Sequence, residues 1–517
     1  MAIWHARHGP IGLADRPEGV NGIVVTQEGS PPSEQGTATS ADIVEPVPAA
    51  AAPVTEEAVR ATNGAKSSSK TAKAATPVEA VGKTVEAEAP APEAVADLAG
   101  EGHTEDRTGQ AVPQTPKAPA PADLPADEAE PPVGNRTTVM LLGSGELAKE
   151  LAISFQRLGA EVIVVDAGKG GPAQGVADRA VLAPIGESER LYDLIEKERP
   201  RFVLPLVEAA SREALDKLAE GEVTQVIPTA KAVRLAGDRE GMRRMAAEEL
   251  GLPTPSYWFA NSVEELRTVL ETSGFPAVVR PVAAAYRQGQ SVVLRDGDVT
   301  PAWEQAIAAN IGGSQRVMVE TAVDIDYEIT LLTVRTAGIG GATRLYFCEP
   351  IAHRQSGTDA MQMWQPQPLS QAALELARSI AARAVNALGG HGVYGVELFV
   401  RGDEVYFCDV SARPYDSGLV TVRSQRLSEY DMHARAVLGA PVDTILVSPA
   451  AAEVVYGDGD GPSPRQLDEA LQTPESDLRV FGHTEAHRRR RVAVALATAP
   501  NTALALNRAQ QVARHLR

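Results

Sequence analysis

The sequence predicts an α/β protein in which a parallel, doubly wound layer and a series of strand hairpins follow a long polar tail. Three observations support this. From about Gly29 to Gly134 the chain is Ala, Pro, Glu, Thr and Ser with almost no aromatics, as in "PKAPAPADLPADEAEPP". Such a composition cannot bury enough apolar surface to offset its ordering entropy, so residues 1–134 read as a disordered extension. From Thr137 onward apolar strands alternate with amphipathic helices, the pattern of a parallel α/β layer. Further on, "GVYGVELFVRGDEVYFCDV" is two alternating strands around a polar turn.

Composition narrows the function. The 517 residues carry a net charge of −19, which argues against general binding to nucleic acid or anionic membrane. No apolar run reaches the roughly 18–20 residues of a membrane span, and the first residues lack the apolar stretch of a secretory signal. The two cysteines, Cys348 and Cys408, each lie in an aromatic-flanked strand pattern and read as buried thiols in a reducing cytoplasm.

The first folded segment, "TTVMLLGSGELAKELAISFQRLGAEVIVVDAG", is a strand, a glycine turn, a helix with Leu147, Leu151, Phe155 and Leu158 on one face, and a second strand. Gly143, Gly145 and Ala148, with Asp166 about twenty residues on, match the dinucleotide fingerprint. Glu146 conflicts with it, because a carboxylate in that turn repels a pyrophosphate. Glu208, just after the strand "RFVLPLVE", is a second acid at the ligand edge of such a layer. Two acids there suit a substrate bearing an amino group. Nicotinamide binding, small-substrate binding and a plain structural turn all remain open at this point.

The later strands supply more acids. Glu397 and Asp409 are equidistant from Asp403, so a hairpin loop with an odd number of residues pairs them directly on one face. Opposed like charges destabilise a sheet. A divalent cation between them removes the conflict, and oxygen ligands suit Mg²⁺. Arg413 and Asp416 follow in the next loop. The alternative is an exposed hairpin with scattered charges. Upstream, Glu320 ends one apolar strand and Glu328 enters another, placed either to accept hydrogen bonds from a nucleotide or as surface acids. "VVRPVAAAYRQGQSVV" is strand, loop and strand in the manner of a phosphate-covering loop, but with one glycine and no lysine.

Taken in order, "VMLLGSGELAKE", "DREGMRRMAAEELGLPT", "VETAVDIDYEITLLTV", "HRQ…WQPQPLS", "ALGGHGVYGVELFV", "DVSARPYDSGLVT" and "RRRVAVALA" resemble the ATP-grasp superfamily. Within it they resemble the formate-dependent phosphoribosylglycinamide formyltransferases, from about Thr137 to Ala499. The resemblance implies a Rossmann-like pre-ATP-grasp domain at 135–245, an ATP-grasp domain at 246–440 and a small C-terminal domain at 441–517. It also implies a cytoplasmic homodimer. The implied reaction joins formate to the amine of glycinamide ribonucleotide, with ATP and Mg²⁺, through formyl phosphate. By the same resemblance Glu146, Leu147, Glu208, Asp416, His483, Arg490 and Arg491 contact the ribonucleotide. Arg239, Arg280, the loop Ala285, Tyr286, Arg287, Gln288, Gly289 and Gln290, and then Glu320, Thr321, Ala322, Val323 and Glu328 contact ATP. Glu397 and Asp409 hold the metal, and Arg280 and Arg413 join them in the chemistry.

Departures from the family pattern collect where ATP is handled. Arg280 stands for Lys, the loop at Ala284–Gln290 lacks its Ser/Gly/Lys composition, and Asp409 is one methylene shorter than Glu. Tyr415 replaces His, and His483 replaces Lys. Arginines at 280 and 287 keep the charge but impose stricter geometry. An active formyltransferase is the preferred reading. The competing readings are a non-catalytic or regulatory relative and a carboxylate–amine ligase for another substrate.

Overall fold

A computed structural model describes residues 136–283, 288–337, 342–355, 361–457, 461–482 and 490–517. The disordered extension expected at 1–134 lies outside the described residues.

Five parallel strands form the first layer: β1 (Thr138–Leu142), β2 (Glu161–Asp166), β3 (Arg179–Leu182), β4 (Phe202–Pro205) and β5 (Gln225–Val226), in spatial order β3-β2-β1-β4-β5. The chain runs outward from β1 to β3 and returns at β4 on the other side of β1. That reversal opens a crevice between the carboxyl ends of β1 and β4, where such layers bind ligands. Gly143 and Glu208 follow these two strand ends, as the sequence predicts. The glycine turn is tight: Gly143 has φ +107, and a Cβ there would stand 2.7 Å from a methyl of Val207. The helix Glu146–Arg157 packs Ala148, Leu151 and Phe155 against the layer.

A four-stranded antiparallel sheet follows, with β6 (Tyr257–Ala260), β7 (Ala277–Pro281), β8 (Ser291–Val293) and β9 (Val317–Thr321) in the order β6-β9-β7-β8. Helices Val263–Ser273 and Val299–Ala309 bury Leu266, Leu270, Val299, Ala302 and Ala306 beside it.

The remaining strands make one nine-stranded sheet: β10 (Tyr327–Ala337), β11 (Thr343–Phe347), β12 (Ile351–Gln355), β13 (Met361–Gln365), β14 (Gly392–Arg401), β15 (Glu404–Ser411), β16 (Ala450–Gly457), β17 (Ser476–Val480) and β18 (Arg490–Thr498). Its order is β15-β14-β10-β12-β13-β16-β18-β17, with β11 against β10. The C-terminal strands therefore continue this sheet through the β13–β16 pairing rather than forming one of their own. Helix Gln371–Leu388, capped by the Ser370 hydroxyl, lays a stripe of Ala373, Ala377, Ala381 and Ala384 on its group of core residues. Alanines let the helix approach the strands closely. Among the described residues no helix is long and apolar enough to cross a membrane. Cys348 and Cys408 are buried and free, as expected.

The hairpin corrects one premise and keeps its conclusion. Arg401 pairs with Glu404, so the loop is the two residues Gly402 and Asp403, an even number. A register shift next to Glu397 leaves Cys408 as the extra residue of a bulge, and this restores the direct pairing of Glu397 with Asp409.

A buried side chain links the small sheet to this bulge. Arg243 is 2% exposed. It bonds the Glu320 carboxylate on β9 at 2.5 Å and the carbonyls of Phe407 and Cys408 at 3.2 and 3.1 Å. Removing one partner of a buried ion pair strands the other charge, at a cost of about 3–5 kcal/mol. Arg280 stays close to Glu320, so Arg243→Met should cost about 3 kcal/mol, at the lower end of that range. Urea unfolding of the variant and the parent checks this.

Candidate active site

A cavity of about 430 Å³ opens between the three sheets. The first layer contributes Glu208, the connecting helices Arg239, and the hairpin and its following loop Glu397, Asp409, Arg413 and Tyr415. Six residues named separately in the sequence analysis thus share one space.

On the side of the first layer, Arg413 donates to Glu208 at 2.6 Å and to the Leu206 carbonyl at 2.8 Å. Burial pushes the Glu208 carboxyl up, but the charge and hydrogen bond of Arg413 outweigh it and hold it below the usual range. A second pair joins Arg491 on β18 to Asp416 at 2.5 Å. Burial opposes the Arg491 charge, yet Asp416 and then Glu146 hold the guanidinium firmly protonated. Glu146 is thus near enough to Arg491 to favour its charge, while Leu147 packs against the apolar core.

The dinucleotide reading fails on the position of Asp166. Its carboxylate accepts from the Ser144 amide at 2.8 Å and the Ser144 hydroxyl at 2.6 Å. It pins the glycine turn and is not presented to a ribose.

On the side of the small sheet, Glu320 is clamped between Arg243 and Arg280, the latter 3.0 Å away. Burial raises this carboxyl, but Arg243, Arg280 and Arg239 together hold it below its usual range. Its carboxylate is thus engaged within the protein. Thr321 and Ala322 spend their amides on Ser256 and Pro276. Val323 is half-buried, and so are Gly289 and Gln290, whereas Gln288 is exposed. Gly289 (φ +73) has Ala309 so near that a Cβ would clash at 2.4 Å. Arg239 anchors the start of the loop by bonding the Pro281 carbonyl at 2.9 Å. Ala285, Tyr286, Arg287 and His483, and the Arg490 side chain, lie outside the described residues.

Strand register assembles the metal candidates. Thr330 pairs with Glu397 across β10 and β14 and with Ile351 across β10 and β12. Carried one pair further, these registers bring Glu328, His353 and Glu397 onto one face, with a ligand atom of each within 4.8 Å of the others. Glu397 is 2% exposed and opposes Asp409. Two carboxylates facing each other, one of them buried, offer hard oxygen donors to a divalent cation, so the residues fit Mg²⁺.

Three descriptions match the chain in succession: Ribonucleotide synthetase preATP-grasp domain over residues 136–237, ATP-grasp domain over 245–430, and PurT, C-terminal over 450–516. A formate-dependent phosphoribosylglycinamide formyltransferase of Rhodococcus jostii (strain RHA1) is 50% identical over 385 residues, covering 74% of this chain and 96% of the relative. The chain belongs to the formate-dependent phosphoribosylglycinamide formyltransferase family. A like-named protein of Corynebacterium glutamicum (strain R) is 47% identical over 389 residues, covering 75% of this chain and 95% of the relative. Among solved structures, glycinamide-RNase-transformylase T from Mycobacterium tuberculosis superposes with a TM-score of 0.64 at 45% identity, over 74% of this chain and all of that one. A carboxyaminoimidazole ribonucleotide synthase from asperigillus clavatus, complexed with ATP, reaches 0.65 at 23% identity over 74% of this chain and shows the shared fold alone.

In this formyltransferase-family site the sequence reading missed three residues. His353 lay within the quoted "HRQ" segment without a role. Arg243 lay in "DREGMRRMAAEE", where one arginine among several in a charged helix reads as solvated. Glu429 opens the helix Glu429–Val437 and is fully buried. It accepts from the Tyr415 amide at 2.8 Å and so fixes the loop carrying Arg413, Tyr415 and Asp416.

Burial, with Asp416 adding to it, raises the Glu429 carboxyl well above its ordinary 4.5. The folded protein therefore keeps a proton that the unfolded chain releases. Stability from this group is fullest below pH 4.5 and declines as pH rises toward the folded value. Glu429→Gln should remove that slope, up to about 1.4 kcal/mol per pH unit. Its stability relative to the parent should then rise between pH 5 and pH 8, read by denaturant unfolding at each pH.

Proposed function

We propose that this chain formylates the amine of glycinamide ribonucleotide with formate and ATP, as a step of purine biosynthesis. The observation that carries this is the single cavity joining Glu208, an acceptor for an amine, to Arg239, Glu397 and Asp409, which suit a nucleotide phosphate and its cation. Family membership supports it, since the relatives bear that name at about half identity.

In this reading Glu208 and Glu146 receive the amine and hydroxyl groups of the ribonucleotide, and Arg491, with Arg490 and His483, takes its phosphate. Arg413 orients Glu208 and offers positive charge where the carboxylate and phosphoryl groups meet. Arg239, Arg280 and the loop Ala285–Gln290 bear on the ATP phosphates, and Glu320–Val323 with Glu328 on the nucleoside. Glu397 and Asp409 hold Mg²⁺, which supplies charge neutralisation at the transferring phosphate. Formate attacks the γ-phosphorus, ADP leaves, and the amine captures the formyl group from formyl phosphate with loss of phosphate. Electrostatic positioning is the main demand of such a transfer, and arginine meets it. The same reading sets domain limits at 135–245, 246–440 and 441–517 and makes the working unit a cytoplasmic homodimer.

ADP release with Mg²⁺-ATP, formate and glycinamide ribonucleotide, each omitted in turn, tests this. Turnover should require all three and yield a formylated product by mass. Ribonucleotide binding without turnover overturns the reading, and turnover indifferent to formate reassigns the carboxylate. Arg491→Met should raise the KM for the ribonucleotide about 10–100-fold, the worth of a hydrogen bond to a charged group, with a smaller change in kcat. Steady-state kinetics at saturating ATP and formate reads the split.

A further inference from the structure

We propose that Tyr415 is a positioning residue for the Glu397 carboxylate, fixing the orientation in which Glu397 receives a divalent cation. The inference rests on the reading of Glu397 as a cation ligand.

The Tyr415 hydroxyl stands 2.8 Å from Glu397 Oε1. A carboxylate only accepts, so the phenol is the donor. Two further contacts make this bond deliberate. The Tyr415 amide donates to buried Glu429, which fixes the backbone from which the ring projects. The ring itself lies on Gly395, where an added Cβ would stand 2.8 Å from Tyr415 Cβ and 3.1 Å from Cγ. Only glycine admits a ring at that distance. Gly395 and Glu397 are two apart on β14 and so share a face. A ring resting on one is therefore aimed along the strand at the other.

The chemistry follows from this placement. With Oε1 bonded to the phenol, the plane in which the carboxylate meets a cation is set. The opposing ligand, Asp409, has a short side chain with little freedom to adjust. Small divalent cations demand near-ideal geometry, so the orientation of Glu397 has to be supplied by the protein. Partners that hold a metal ligand in place are worth about 10–100-fold in metal affinity or activity.

The test uses the full chain with a non-hydrolysable ATP analogue, titrating Mn²⁺ and reading free ion by electron paramagnetic resonance. Tyr415→Phe keeps the ring on Gly395 and removes only the hydroxyl. It should weaken Mn²⁺ at least about tenfold, with the melting temperature and cation-free analogue binding unchanged. In turnover it should raise the Mg²⁺ concentration at half-maximal rate by a similar factor and leave kcat at saturating Mg²⁺ near the parent value. Glu397→Gln is the control. If Glu397→Gln loses the cation while Tyr415→Phe binds it like the parent, the positioning role is overturned. If the parent binds no Mn²⁺, or Glu397→Gln binds it unchanged, the reading of Glu397 falls and this inference with it.

Discussion

The buried pair of Arg243 and Glu320 is the interaction on which the site depends. Glu320 sits on the central strand pairing of the small sheet, and Arg243 carries that position across to the carbonyls of the hairpin bulge. The bulge is what places Asp409 opposite Glu397. One guanidinium thus serves as ion-pair partner and as donor to backbone carbonyls at the point where the ladder is irregular. An apolar residue of equal volume would fill the space but leave a carboxylate and two carbonyls without this donor. Buried pairs are weak contributors to net stability. Here the pair sets the distance between the small sheet and the sheet that bears Glu397 and Asp409.

The site pairs several of its own charges. Glu208 is held by Arg413, and Asp416 by Arg491. A cationic ligand group at Glu208 would compete with the first arginine, and an anionic one at Arg491 would compete with Asp416. Binding of such groups would be an exchange of partners within a prepared set, with little new charge to desolvate.

Much of this was legible in the sequence because the signals were local. A glycine turn between a strand and a helix, acids just past strand ends, and a symmetric pair on a hairpin all follow from short-range spacing. The loop-parity argument reached the right pair through the wrong turn, since a bulge at Cys408 leaves no periodic trace. Asp166 matched a fingerprint by position, yet its carboxylate bonds Ser144, which spacing alone does not reveal. His353, Arg243 and Glu429 were illegible for a common reason. Each acquires its role from a partner on a distant strand or loop, and a charged or titratable residue in a polar segment looks the same whether it faces solvent or the core. Tyr415 was noticed only as a departure from a family pattern. Its aim at Glu397 depends on the bare backbone of Gly395 on a neighbouring strand.

The continuity of the nine-stranded sheet has a consequence for the order in which the protein is made. Among the described residues strand β13 has one edge on β12 and the other on β16, encoded well after it. During synthesis strands β1–β15 all precede β16, and until it arrives that edge is an open row of amides and carbonyls, ready to pair with another chain. Arg491 arrives later still, on β18. A nascent or proteolytically shortened chain that ends before β16 would therefore carry the Glu397–Asp409 hairpin with an adhesive border in the same sheet, and without Arg491. The last strands close that border.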